Sequence, residues 1–112
     1  MVATAPGVIR LFKFRPVRIA FDMLLRKTIV PALLELPGLD DLYVGRQGPD
    51  ELGPRLVATI WDSRDEMAGA VGESFEKPVF MPEYLDETQD RELDILPMAF
   101  GYRFVRPERP GL

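Results

Sequence analysis

A chain of 112 residues, 46% hydrophobic and 29% charged, has the size and balance of one globular domain with its own core. Its 14 Lys and Arg against 18 Asp and Glu give a net charge of −4, which argues against a nucleic-acid partner because phosphate binding needs a concentrated basic face. With neither cysteine nor histidine, the chain cannot form a disulfide, a thiolate nucleophile or a Cys-type zinc site, and it lacks the commonest general base, metal ligand and haem ligand.

Residues 1–7 end in Ala-Pro-Gly and read as a flexible start. Val8 to Arg15 is the first strand, with Val8, Arg10, Phe12 and Phe14 on one face and Ile9, Leu11, Lys13 and Arg15 on the other. Val17 to Leu36 reads as a long helix with a narrow polar stripe at Arg18, Asp22 and Arg26. Pro31 should kink that helix near Lys27 or split it, since it lacks an N–H and crowds the carbonyl four residues back. Pro37-Gly38 ends the unit. Leu39 to Gln47 is the second strand, followed by a turn-rich connector from Gly48 to Pro54.

The third strand, Leu56 to Trp61, organises the rest. It is apolar and β-branched, and it hands over directly to a helix expected from about Ser63 to Glu73. Ser63 and Glu66 form a capping box there, with Asp62 and Asp65 near the positive end of the helix dipole. A short helix from Pro82 through Asp90 and a last strand from Ile95 to Phe104 complete the pattern, and residues 106–112 read as a flexible tail. Residues 8–105 thus form a single α+β domain of ferredoxin-like βαββαβ order. Right-handed crossovers give an antiparallel sheet in the order 4-1-3-2 with both helices on one face. Leu56, Ala58 and Ile60 oppose Val57 and Trp61, so the sheet is apolar on both faces while helices can cover one. A second copy packed face to face, giving a homodimer, removes that exposed patch.

The Trp-Asp-Ser-Arg-Asp-Glu-Met junction at Trp61 to Met67, the order of elements and the two-sided sheet resemble the dimeric α+β barrel proteins, in particular the antibiotic-biosynthesis-monooxygenase type. The resemblance covers about Val8 to Phe104. It implies a homodimeric α+β barrel and an apolar pocket between sheet and helices, walled by Trp61. It also implies a cofactor-independent, metal-free monooxygenase-like activity on an electron-rich aromatic or polyketide-type molecule. The alternative it leaves is a non-catalytic dimeric barrel, a binding or stress-response protein that holds a hydrophobic ligand. Active members usually also carry an Asn in the first half and a His after the second helix. This chain contains neither residue type, so haem degradation is not expected.

Several residues are candidates for the chemistry. Asp62 is either a cap-region acid or a pocket base beside Trp61. Tyr43 and Arg46, with Tyr102 and Arg103, fall on edge strands and are either surface groups or a set that binds and polarises a phenol, enolate or carboxylate. Arg10, in a central strand, needs a carboxylate across a dimer or a ligand anion. Glu83, Asp86, Glu87 and Asp90 share a helical face, as a solvated stripe, a set paired with Arg103, Arg106 and Arg109, or oxygen ligands for a divalent cation. Met23, Met67, Met81 and Met98 read as core filler. No run approaches a membrane-spanning length and no signal-peptide core precedes Val8, so the expected location is the cytoplasm, with no membrane partner.

Overall fold

The computed structural model describes residues 2–4, 7–71 and 82–103. After a short strand β1 (Val2–Thr4), the alternating stretch becomes β2 (Val8–Pro16), the second strand from one edge of the sheet. β4 (Arg55–Trp61) lies on one side of it, from Val8↔Trp61 to Phe14↔Arg55, and β5 (Thr88–Pro97) on the other. β3 (Leu39–Arg46) pairs with β4 and closes the sheet. All pairings are antiparallel, and the order β3-β4-β2-β5 is the expected 4-1-3-2 once β1 is set aside.

The helical layer covers the face that carries Phe12, Phe14 and Val57. It runs from α1 (Phe21–Leu24) through a π-helical turn (Leu25–Ile29) into α2 (Val30–Leu34). The Val30 N–H donates to the Leu25 carbonyl, five residues back. Pro31 follows at once and offers no donor to the carbonyls behind it, and the widened turn is how the rod absorbs the proline. Phe21, Leu25, Ile29 and Leu33 keep one side buried through the irregularity. They meet Phe12, Phe14 and Val57 in the main core, where Phe14 meets Phe21 edge-on at 5.4 Å. α3 (Arg64–Val71) is capped by Ser63, whose Oγ accepts the Glu66 N–H at 3.1 Å.

Several expectations are corrected. The helix begins at Phe21 rather than Val17, because the Val17 N–H bonds the Glu87 carbonyl and holds residues 17–20 against the neighbouring turn. Pro82–Glu87 is two short 3-10 turns joined by a kink at Tyr84, and the last sheet strand is Thr88–Pro97 rather than Ile95–Phe104. Like charges along the acidic stripe repel at helical spacing. Of that stripe, Glu87 instead takes a bidentate ion pair from Arg18, at 2.8 and 2.7 Å, and Asp90 lies 3.8 Å from Arg15. The pairing expected from Arg103, Arg106 and Arg109 falls on side chains outside the described residues. Asp90 sits at φ +51° where the β2–β5 register shifts, a bulge that an acid tolerates better than most residues. Finally, only Met67 among the described methionines is core. Met23 and Met98 are exposed, and Met81 lies outside the described residues.

Residues 101–103 form β6 (Gly101–Arg103), paired with β1, so part of the N-terminal stretch expected to be flexible is a strand. Among the described residues no helix is long and apolar enough to cross a membrane.

Candidate functional site

The inner face of β4 carries, in order, Arg55, Val57, Thr59 and Trp61, all buried. Strand periodicity puts them in one row, about 20 Å from the first to the last. Each end of the row holds a polar arrangement inside an apolar layer.

At the far end, Trp61 is 1% exposed and packs with Val8 and Met67, with Leu36, Leu39, Ala70 and Ile95 around them. Its indole N–H donates to Thr59 Oγ1 at 2.8 Å, and the Thr59 hydroxyl donates in turn to the Arg10 carbonyl at 3.4 Å. Arg10 stands opposite Thr59 in the ladder. Its side chain is in the same layer, 3% exposed, with the guanidinium carbon 5.7 Å from the centre of the Phe12 ring. Burial pushes the Arg10 guanidinium down to about 10, so it stays charged at neutral pH inside an apolar setting. Arg10 faces the helices, not the uncovered face, so a partner across a face-to-face dimer is not what it meets. A cleft of about 310 Å³ lies beside this cluster, lined by Gly7, Val8, Ser63, Arg64, Asp65, Pro97 and Met98, and Trp61 is not in its wall.

At the near end, Arg55 is 2% exposed and fully engaged. Its Nε and Nη2 donate to the two carboxylate oxygens of Asp22 at 2.9 and 3.0 Å, and further N–H groups reach the carbonyls of Glu51 and Gly53. The arginine thus staples the β3–β4 connector to α1. Beside it opens a cleft of about 290 Å³ between the helical layer and the ends of β3 and β4, lined by Leu25, Arg26, Val30, Val44 and Arg46 among others.

The remaining candidates are dispersed. Asp62 is exposed at the bend after β4, and its N–H bonds the Gly38 carbonyl at 2.9 Å. Tyr43 is 68% exposed on the opposite face of the sheet, its ring lying over Gly45, where an added Cβ would approach it to 2.9 Å. Arg46 borders the 290 Å³ cleft instead, so the structure separates it from Tyr43. Tyr102 and Arg103 belong to β6 and pair in backbone register with Ala3 and Val2, not with the sheet edge that carries Tyr43. The structure therefore puts Trp61 and Arg10 in one layer and leaves Asp62 and Tyr43 outside it, while the side chains of Tyr102 and Arg103 lie outside the described residues. Among the described residues no group of three or more acids is placed to hold a metal.

Three residues of these arrangements escape a reading of the sequence by motif: Thr59, Arg55 and Arg26. Parity offers a signal for the first two, since both share the face of Trp61, and an interior position for an arginine demands a partner.

No family model and no curated protein sequence matches the chain. Solved structures do. A conserved protein from Methanosarcina mazei superposes with a TM-score of 0.61 at 17% identity, covering 80% of this chain and 90% of that one. An ethyl tert-butyl ether D (EthD) family protein from Bacillus halodurans gives 0.54 at 18% identity, over 87% of this chain and 99% of its own. A mutant of SnoaB, a cofactor-independent oxygenase from Streptomyces nogalater, gives 0.56 at 15% identity, over 93% and 100%. At these identities the likeness concerns architecture: the chain has the ferredoxin-like α+β fold on which a cofactor-independent oxygenase is also built.

Proposed function

We propose that this protein is a homodimeric, monooxygenase-like barrel that takes an electron-rich aromatic or polyketide-type molecule into the layer between sheet and helices, beside Trp61, with Arg10 as the group that stabilises its anion. The observation that carries the reading is the burial of a charged guanidinium in the same layer as Trp61, with Thr59 bridging the Trp61 indole to the Arg10 backbone carbonyl. A fixed cation in a low-dielectric site stabilises a phenolate or enolate far more than it would in water. Such an anion is the form of the substrate that can pass electrons to oxygen without a cofactor. For a methylene flanked by conjugating groups, the substrate supplies all four electrons. One oxygen atom becomes the new carbonyl and the other leaves as water, so the reaction balances without an external reductant. Asp62 and Tyr43 lie away from Trp61, and the reading therefore assigns ionisation to the substrate's own acidity, raised by Arg10, and not to a protein base.

The dimer rests on the uncovered face. Ile9, Leu11, Leu56, Ala58 and Ile60 form its apolar middle across β2 and β4, with Asp41, Glu92 and Asp94 as a charged margin on the outer strands. That is the distribution of an interface with a polar rim.

The dispersal of the candidate bases favours a second reading, a barrel that binds such a ligand without turning it over. Oxygen uptake with anthrone, paired with titration of Trp61 fluorescence, separates the two. The oxygenase reading expects accelerated uptake, reduced by about tenfold or more in Arg10→Gln and little changed in Asp62→Asn and Tyr43→Phe. Quenching of Trp61 without uptake supports the binding protein. Neither signal from a panel of polycyclic phenols and anthrones defeats both.

A further inference from the structure

We propose that the cleft between the helical layer and the ends of β3 and β4 is a separate binding site for an aromatic carboxylate. Its walls are Leu25, Val30 and Val44, and its volume, about 290 Å³, suits a two-ring molecule. Three arginines line it, Arg26, Arg46 and Arg55, against one acid, Asp22. That acid is already committed: both its carboxylate oxygens accept from the buried Arg55. Arg26 and Arg46 are different. Both are exposed, and neither side chain makes a hydrogen bond or ion pair among the described residues.

Two guanidiniums at one apolar cleft form a local positive field on a chain whose net charge is −4. Guanidinium matches the planar geometry of a carboxylate and can hold it bidentately. Apolar walls with two such donors at the rim select an amphipathic ligand over a small inorganic anion, which would leave the walls unused. The π-helical turn supplies part of the site, since Leu25 and Arg26 lie on it and Val30 directly follows. The widening that Pro31 forces on the helix therefore falls at the cleft. The site lies at the opposite end of β4 from Trp61, about 20 Å away, and does not depend on any activity there.

Calorimetric titration with naphthalene-2-carboxylate tests this, with naphthalene-2-methanol as the neutral counterpart. The expected result is saturable binding of one carboxylate per chain, with the alcohol about tenfold weaker or worse. The double variant R26Q/R46Q should weaken the carboxylate by about tenfold or more and leave the alcohol unchanged. Raising the salt concentration should weaken the carboxylate alone. Far-UV circular dichroism checks the fold of the variant, and the isostere and salt comparisons on the unmodified protein decide the matter should that variant fail to fold. Equal affinity for carboxylate and alcohol, a carboxylate affinity unmoved in a folded R26Q/R46Q, or no binding at millimolar ligand overturns the proposal.

Discussion

Replacing Trp61 and Thr59 singly and together measures how tightly the end of the inner layer is closed. Trp61→Phe deletes about 40 Å³ of ring from a site that is 1% exposed, and at about 24 cal/mol per Å³ of residual cavity this costs ~1 kcal/mol. It also removes the bond to Thr59 Oγ1 at 2.8 Å, worth ~1 kcal/mol more. Thr59→Val keeps the shape of the side chain but leaves the indole N–H buried without an acceptor, a penalty of ~1–3 kcal/mol that the added methyl offsets only in part. The single variants should thus lose about 2 and about 1–2 kcal/mol. Because both delete the same hydrogen bond, the double variant should cost about 1 kcal/mol less than their sum. Urea unfolding at one fixed protein concentration measures this, since association would otherwise shift the midpoints. Additive losses would show that the bond contributes nothing. A Trp61→Phe variant within about 0.5 kcal/mol of the parent would show that the ring stands in a space able to relax around it, and the closed-core reasoning would fail.

Other substitutions address the remaining parts. Ile60→Lys puts a charge in the middle of the uncovered apolar face, so sedimentation should show a dimer for the parent and a monomer for the variant at micromolar concentration. Gly38→Ala should destabilise by about 2 kcal/mol or more, because Gly38 sits at φ +81° and an added Cβ would stand 2.5 Å from Glu66 Cβ; thermal unfolding reads it. Asp22→Asn leaves the buried Arg55 with only carbonyl partners, and since Asp22 is itself partly exposed the loss should be about 2 kcal/mol rather than the larger figure for a fully buried pair.

The sheet was readable in the sequence because its signal is parity. Once Val8, Arg10, Phe12 and Phe14 share a face with Val57 and Trp61, the strand order and the covered face follow from handed connections. The last strand was not readable in the same way. Thr88–Pro97 is an edge strand whose outward positions are Asp90, Glu92 and Asp94, and only Leu93 and Ile95 mark its buried side against Phe12 and Arg10. A strand wet on one face and carrying a bulge imitates a polar helix followed by a later apolar strand. Of the site, Trp61 and Arg10 were visible as anomalies: a lone tryptophan at a junction and a charge in a core strand. Asp62 and Tyr43 looked equally eligible because adjacency along the chain says nothing of direction. Asp62 follows Trp61 by one residue and lies outside the layer that Trp61 seals, and Tyr43 is on the other side of the sheet.

Two arginines lie in the inner layer, and their surroundings distinguish their roles. Arg55 is matched by a carboxylate and two carbonyls, all of them on the connector and helix that it ties together, so its burial is explained by architecture alone. Arg10 is as deeply buried, with the Phe12 ring 5.7 Å from its guanidinium carbon, and burial lowers its pKa to about 10. Since Arg10 faces inward, the anion it would stabilise must enter between sheet and helices, at the end of β4 where Trp61 lies. Under the proposed function the open face is left to a second copy of the chain, and the two faces of one sheet would divide assembly from chemistry.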